Sequence, residues 1–490
     1  MKTAYLKIDT NHTASHINPE IYGHFSEHLG RCIYNGIWVG KDSPIPNING
    51  FRKDIVEALK EIGVPVLRWP GGCFADEYHW RDGIGKKRRK TVNSVWGQIT
   101  EDNSFGSHEF FALCELIGCK PYLAANVGSG TVQELAEWMQ YLTYYGDSTL
   151  ANERRANGHE EPFAVDYLGI GNENWGCGGN MRAEYYADQY RRYASFARNY
   201  SGKTINVACG PCGGDLQWMD TMMKNRGNVQ FDAISLHYYT VPTGVWEKKG
   251  DAVDFDAKEY YGTVANANEM ERIIKGNKAV MDHHDPEHKV GLVVDEWGCW
   301  YDAEPGTNSA FLYQQSTMRD AIIAAVHLDM FNRHSDRVIM ANLAQTVNVL
   351  QAVLLTDGER LVKTPTWQVF KLFLPHHDAD LLECDAALPV LHENDRKIPQ
   401  ISYSVSKKDG AVFATISNVS LTESCSVLVD TDGMKITGAE GKIITAEVHA
   451  KNDFDGSEPV HIEDFSGYTV SDGKLQVTLP PCAVVSLKLK

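Results

Sequence analysis

Two glutamates define the chemistry open to this chain. Glu173 stands in Gly169-Ile170-Gly171-Asn172-Glu173-Asn174-Trp175-Gly176-Cys177-Gly178-Gly179, and Glu296 in Val293-Val294-Asp295-Glu296-Trp297. Each follows a short apolar run, and each is flanked by Asn or Asp and by Trp. Two carboxylates facing each other across a neutral, aromatic-rich cleft suit glycoside hydrolysis. One donates a proton to the leaving oxygen, and the other attacks or activates water. Trp69, Trp80, Trp96, Trp175, Trp297 and Trp300 lie in or beside the same loops, where indole faces would stack on sugar C–H faces. Taken singly, either Glu reads as an ion-paired residue and any one Trp as core. The paired pattern favours a sugar site.

Other motifs offer less. A dinucleotide-binding G-x-G-x-x-G needs a third glycine at 174, which is Asn174. Glu173 would also set a negative charge against a pyrophosphate, and no helical pattern begins until about Arg182. Cys209-Gly210-Pro211-Cys212 has redox spacing but lies mid-chain after a strand-like run. Asp282-His283-His284-Asp285-Pro286-Glu287-His288 has metal-capable side chains but reads as a polar turn.

The elements that must hold the glutamates alternate along the chain. Eight strand-like runs end near Phe25, Trp69, Ala125, Ile170, Ala208, His237, Asp295 and Ala341. Helical patterns separate them at 51–62, 107–118, 131–145, 182–199, 215–225, 264–284, 309–334 and 365–373. Nearly continuous apolar strands alternating with helices predict a closed parallel (β/α)8 barrel of the TIM type. Catalytic groups in such a barrel sit at the C-terminal strand ends. Those ends offer Glu27, Arg68, Asn172, Glu173, His237, Tyr239, Glu296 and Gln345. Glu173 and Glu296 end the fourth and seventh strands, on opposite sides of the mouth.

After about residue 378 the period changes to two, as in Leu475, Val477 and Leu479. Asp-Gly turns punctuate the segment, which predicts an antiparallel, jelly-roll-like β-sandwich. Tyr5-Leu6-Lys7-Ile8 alternates likewise and is expected to join it. The expected division is a catalytic barrel over 18–377 and a sandwich made of 1–17 plus 378–490.

The bulk numbers narrow the partners. The 490 residues carry a net charge of −17, which argues against nucleic acid or an anionic membrane and fits a neutral substrate. The basic run Lys86 to Lys90 follows Asp82-Gly83-Ile84-Gly85 and reads as a solvated loop. The N-terminus lacks a signal-peptide apolar region, and no stretch reaches the ~18 apolar residues of a membrane span, so a cytoplasmic location is expected. The 11 scattered cysteines suit reduced, mostly buried thiols better than a disulfide framework.

The chain resembles the α-L-arabinofuranosidases of glycoside hydrolase family 51, essentially end to end. The resemblance rests on Gly23-His24-Phe25-Ser26-Glu27-His28-Leu29-Gly30, Leu67-Arg68-Trp69-Pro70-Gly71-Gly72, Gly171-Asn172-Glu173-Asn174, Ser235-Leu236-His237-Tyr238-Tyr239, Asp295-Glu296-Trp297 and Leu343-Ala344-Gln345-Thr346-Val347-Asn348. It implies a retaining exo-enzyme acting on arabinan or arabinoxylan oligosaccharides, with Glu173 as acid/base and Glu296 as nucleophile. Retention implies carboxyl groups roughly 5 Å apart. Substrate-binding roles would fall on Glu27, Arg68, Cys73, Asn172, His237, Tyr239, Gln345, Trp96 and Trp300. Arg68 beside Glu296 would keep the nucleophile ionised, and a drier setting would keep Glu173 protonated. No metal or organic cofactor is implied, and a homo-oligomer, a hexamer in this family, is. The alternatives are another retaining glycosidase on the same barrel, such as an endo-β-glucanase or β-xylosidase, or a non-catalytic sugar-binding barrel.

One position departs from the resemblance. Many relatives carry Asn after Pro70-Gly71-Gly72, where this chain has Cys73, and a thiol is a poor donor to a sugar hydroxyl. Cys73 and Cys177 both follow strand ends in the barrel mouth, so the two are expected to lie close enough to pair.

Overall fold

Continuous apolar runs suit strands whose two faces are both covered, and the eight runs are largely buried. The computed structural model describes residues 2–227 and 231–490. Eight strands form a closed parallel barrel in sequential order: β2 (Gly23–Phe25), β3 (Val66–Trp69), β4 (Lys120–Ala125), β5 (Tyr167–Ile170), β6 (Ile205–Ala208), β7 (Ala233–Thr240), β8 (Gly291–Cys299) and β9 (Val338–Ala344). One residue from each of β3 to β9 (Val66, Tyr122, Tyr167, Val207, Ala233, Val293 and Met340) packs into a single buried cluster. The barrel interior is therefore a filled layer, and ligand space is left at its mouth.

Helices cover the outside with amphipathic stripes. In α1 (Lys53–Glu61), Ile55, Val56, Ala58 and Leu59 are buried. Then follow α2 (Ser107–Ile117), α3 (Val132–Thr143), α4 (Thr149–Ala156), α5 (Ala183–Ala194) and α6 (Leu216–Lys224). The last four are α7 (Ala257–Ala267), α8 (Glu269–His284), α9 (Met318–Arg333) and α10 (Pro365–Phe373).

Four of these helices differ from the sequence expectation. The pattern at 264–284 is two helices meeting at Asn268, and the first starts earlier because Asp256 and Glu259 form a capping box. The pattern at 309–334 becomes a helix only after Thr317, which caps α9 with Asp320. The α4 helix carries no apolar stripe to signal it, burying only Leu150, Ala151 and Arg154.

Beside four two-stranded hairpins in the loops, ten further strands form one sheet. In chain order these are β1 (Lys2–Ile17), β10 (Ala379–Ala387), β11 (Ile401–Lys408), β12 (Ala411–Asn418), β13 (Cys425–Asp432), β14 (Ala439–Thr445), β15 (Glu463–Phe465), β16 (Tyr468–Ser471), β17 (Lys474–Leu479) and β18 (Ala483–Leu489). Their order across the sheet is β15-β14-β18-β12-β11-β10-β1-β13-β17-β16. All pairs are antiparallel except β1 with β13. One apolar cluster joins Val427 and Leu475 from one half with Ile443 and Leu487 from the other, so the sheet folds over on itself. The N-terminal strand joins this sheet, as its alternation suggested, and sits near the middle.

Helix α9 lies between barrel and sheet and is buried along nearly its whole length. Its Asp329 accepts hydrogen bonds from Ser402 (2.7 Å), Ser404 (2.8 Å) and Thr415 (2.8 Å) on β11 and β12. A buried carboxylate thus ties the sheet to the barrel.

Candidate active site

The loop after β5 is built around one side chain. Gly171 has φ +93°, and a Cβ there would lie 2.1 Å from Asn174 Oδ1. A Cβ on Gly178 would lie 1.9 Å from the Asn172 carbonyl oxygen. The glycines therefore allow the loop to fold back tightly on itself. Asn174 Nδ2 donates to Gly178 O (2.7 Å), and Trp175 Nε1 donates to Gly210 O (3.1 Å). Glu173, immediately before these two residues, has φ +41°.

Across the mouth stands Glu296, paired in register with His237 on the neighbouring strand β7. His237 Nδ1 is 2.9 Å from Glu173 Oε1 and 3.5 Å from Glu296 Oε2, and its Nε2 is 3.0 Å from Asp295 Oδ1. Glu173, His237 and Glu296 each place one polar atom within 4.8 Å of the others. The nearest oxygens of the two carboxylates thus approach more closely than the ~6.5–9.5 Å spacing of carboxyl groups in inverting enzymes would suggest. Arg68 Nη1 donates to Glu296 Oε1 (2.9 Å), and the Tyr239 hydroxyl donates to Oε2 (2.7 Å).

The same geometry separates the charges. Burial raises the Glu173 carboxyl above its ordinary value, and the nearby Glu296 charge adds to this, while His237 opposes it. Burial disfavours a charged His237, but Glu296, Asp295 and Glu173 outweigh it and lift the imidazole well above its usual range. For Asp295, Arg68 and His237 more than offset burial and hold the carboxyl low. Its other oxygen accepts from Tyr122 (2.7 Å).

A cavity of about 490 Å3 opens over this cluster, within the size range of small-molecule sites. Glu27, Cys73, Glu173, His237, Tyr239, Glu296, Gln345, Trp96 and Trp300 all line it, with Gly72 and Trp175. Glu27 accepts from Phe74 N (2.9 Å), Trp96 Nε1 (3.0 Å) and Gln345 Nε2 (2.9 Å). Burial pushes its carboxyl up to about 7. Arg68 and Asn172 are buried behind the wall, joined by a 2.6 Å hydrogen bond from Nη2 to Oδ1. Arg68 therefore serves Glu296, Asp295 and Asn172 rather than forming part of the wall.

Several expectations need correction. Trp69, Trp80 and Trp297 are buried core residues and do not line the cavity. Loop proximity in sequence did not reveal which way their side chains point. Trp246, half exposed and edge-on to Trp300 at 4.9 Å, lines the mouth instead. It sits in a polar, non-periodic segment that carried no signal. Asp295 was visible only as part of the block around Glu296, yet it is the partner of both Arg68 and His237.

Nine cysteines are free thiols, in keeping with the absence of a disulfide framework among the described residues, and Cys73 and Cys177 form a single disulfide with their Cα atoms 5.6 Å apart. The pairing itself was expected from their place in the mouth. Cys209 and Cys212 are both free. Of the basic run, Arg88 is anchored to Glu109 (2.8 Å) while the lysines are exposed. Two groupings among the described residues have metal-ligand spacing: Cys73, Glu173 and Cys177, and Glu173, His237 and Glu296. In the first the sulfurs are bonded to each other. In the second both His237 nitrogens face carboxylates.

Comparison with known proteins decides the family. The profile of the "Alpha-L-arabinofuranosidase 1 domain" matches residues 58–259, and that of the "Alpha-L-arabinofuranosidase C-terminal domain" matches 295–483. The chain is 47% identical to an "Intracellular exo-alpha-L-arabinofuranosidase" of Bacteroides ovatus, over 100% of this chain and 96% of that one. The chain belongs to the α-L-arabinofuranosidases of glycoside hydrolase family 51. The crystal structure of the family 51 arabinofuranosidase from Xanthomonas axonopodis pv. citri matches this enzyme with a TM-score of 0.98 at 44% identity, over all of both chains. That of the Thermotoga maritima α-L-arabinofuranosidase in an arabinose complex matches with a TM-score of 0.87 at 30% identity, over 99% of each chain. No helix among the described residues is long and apolar enough to cross a membrane.

Proposed function

We propose that this family 51 enzyme removes terminal, non-reducing α-L-arabinofuranosyl units from arabinan- or arabinoxylan-type oligosaccharides by double displacement. Glu296 attacks the anomeric carbon while Glu173 gives its proton to the departing glycosidic oxygen. The products are a covalent arabinofuranosyl-enzyme and the shortened oligosaccharide. Glu173, now a carboxylate, takes a proton from water, which attacks the anomeric carbon and frees Glu296. Glu27, Gln345 and Tyr239 are assigned to the furanose hydroxyls, with Asn172 behind them. Trp96, Trp175, Trp246 and Trp300 offer stacking faces around the mouth.

The observation that carries this reading is the carboxylate pair within 4.8 Å, bridged by His237. Nearest oxygens this close favour the short spacing of a retaining pair over the wider one that admits an inverting enzyme's water. The Bacteroides relative is named an intracellular enzyme, and on that likeness we place this one inside the cell. We further propose two structural units, 18–377 and 1–17 with 378–490, and assembly into a homo-oligomer.

The test is substitution at each glutamate. Glu296→Ala abolishes hydrolysis of an aryl α-L-arabinofuranoside. Glu173→Ala retains the first step on an activated aryl leaving group, and azide restores turnover by forming the arabinofuranosyl azide. Wild-type rates in either variant contradict the assignment.

A further inference from the structure

The two sulfurs of the mouth disulfide touch the proposed acid/base. Cys73 Sγ lies 3.7 Å and Cys177 Sγ 3.4 Å from Glu173 Oε2. One donor atom from each of the three residues falls within 4.8 Å of the other two. With Zn–S bonds of about 2.3 Å and Zn–O bonds of about 2.0–2.2 Å, neighbouring ligands in a tetrahedral zinc site sit about 3.5 Å apart. The two sulfur–oxygen distances already match that spacing. As a disulfide the sulfurs are neutral and bonded to each other, so they ligate poorly. As thiolates they are strong zinc ligands.

We propose that reduction of the Cys73–Cys177 disulfide creates a zinc site from Cys73, Cys177 and Glu173, and that bound zinc silences the enzyme by occupying its acid/base. This rests on the assignment of Glu173 given above. A dithiol supplies two electrons and two protons to the sulfur–sulfur bond, which opens to two thiols while the dithiol closes to its own disulfide. Zinc then displaces both thiol protons to solvent and takes a Glu173 oxygen as third ligand, leaving a fourth position for water. The neighbouring Glu173–His237–Glu296 grouping is a poorer site, because both imidazole nitrogens are committed to carboxylates. The device suits a reducing compartment, where the disulfide is the labile form. Activity then reports both redox state and free zinc.

The experiment compares the disulfide enzyme with enzyme reduced by dithiothreitol and desalted under anaerobic conditions. Zinc binding is read by competition with a chromogenic chelator, and thiol accessibility by iodoacetamide labelling and peptide mass. The reduced enzyme is expected to bind one zinc per chain at this site. Labelling of Cys73 and Cys177 should slow at least tenfold with zinc. Aryl arabinofuranoside hydrolysis should fall at least tenfold and return with EDTA. The disulfide enzyme should show none of this, and reduced Cys177→Ala should bind zinc at least tenfold more weakly. Equal zinc inhibition of both redox forms, unprotected thiols, or unchanged affinity in Cys177→Ala overturns the proposal. If neither the disulfide enzyme nor the reduced, zinc-free enzyme hydrolyses an arabinofuranoside, the functional reading fails instead, and the binding and labelling results still decide the zinc site.

Discussion

Glu173 occupies a backbone region that costs a non-glycine residue roughly 1–3 kcal/mol, with φ +41°. The loop that holds it is fixed by the Asn174 and Trp175 hydrogen bonds, so the carboxyl is aimed before substrate arrives. His237 then works as a positioning residue, its charge maintained by Asp295 on one side and shared with Glu173 and Glu296 on the other. Replacing Asp295 with Asn removes that support while keeping the shape. The kcat of Asp295→Asn should fall roughly 10²-fold, the lower end of what a positioned proton transfer contributes, with KM changed much less. Steady-state kinetics on an aryl arabinofuranoside check this, and an unchanged kcat would show that His237 acts without Asp295. At this scale the sequence was most legible where a polar residue ends an apolar run, as at Glu27, Glu173, His237 and Glu296. It was least legible where direction matters. Trp297 and Glu296 are adjacent, yet one is core and the other lines the cavity. Only the strand's place in the barrel decides which is which.

The elements deliver these residues through strand register. The irregularity between Ser235 and His237 brings His237 level with Glu296, and no apolar period in β7 or β8 records it. Eight apolar runs were enough to read the barrel, whereas α4 and the Asp256-capped α7 depended on caps rather than stripes. The same scale holds the joint between barrel and sheet, where burial pushes the Asp329 carboxyl up to about 6. A folded-state value above the unfolded one of about 3.9 means a stabilising contribution that is full below about pH 4 and lost as pH rises through 6. The difference between these two values corresponds to roughly 3 kcal/mol. Asp329→Asn is neutral at every pH and lacks this dependence. The melting temperature of the wild type minus that of Asp329→Asn should therefore decrease between pH 4 and pH 7. A difference that stays flat or grows would show that Asp329 is buried as a stable carboxylate.

At the scale of the molecule, the first strand and the last hundred residues make one sheet although the whole barrel separates them in sequence. β1 pairs with β10 on one side and β13 on the other, so its loss opens two sheet edges at once. Deleting residues 2–17 should give insoluble or aggregated protein, read by size-exclusion chromatography and light scattering. A monodisperse, active truncation would mean that the sheet closes without β1. The period-two pattern at Tyr5 to Ile8 made this strand legible, but its parallel pairing with β13 was not, since alternation fixes a face and not a direction. The strongly negative chain then surrounds a mouth in which the positive charge of Arg68 and His237 is held inside, against carboxylates. A neutral oligosaccharide meets stacking rings and hydrogen-bonding groups there rather than a charged patch. The central claim is that Glu296 becomes covalently bonded to the sugar. It is tested most directly by peptide mapping after treatment with a slow, mechanism-based arabinofuranosyl substrate carrying a good leaving group. The mass of one arabinofuranosyl unit on the peptide containing Glu296 is the predicted result. Full turnover inhibition with the label on another residue, or release of arabinose with inverted configuration and no adduct, would contradict it.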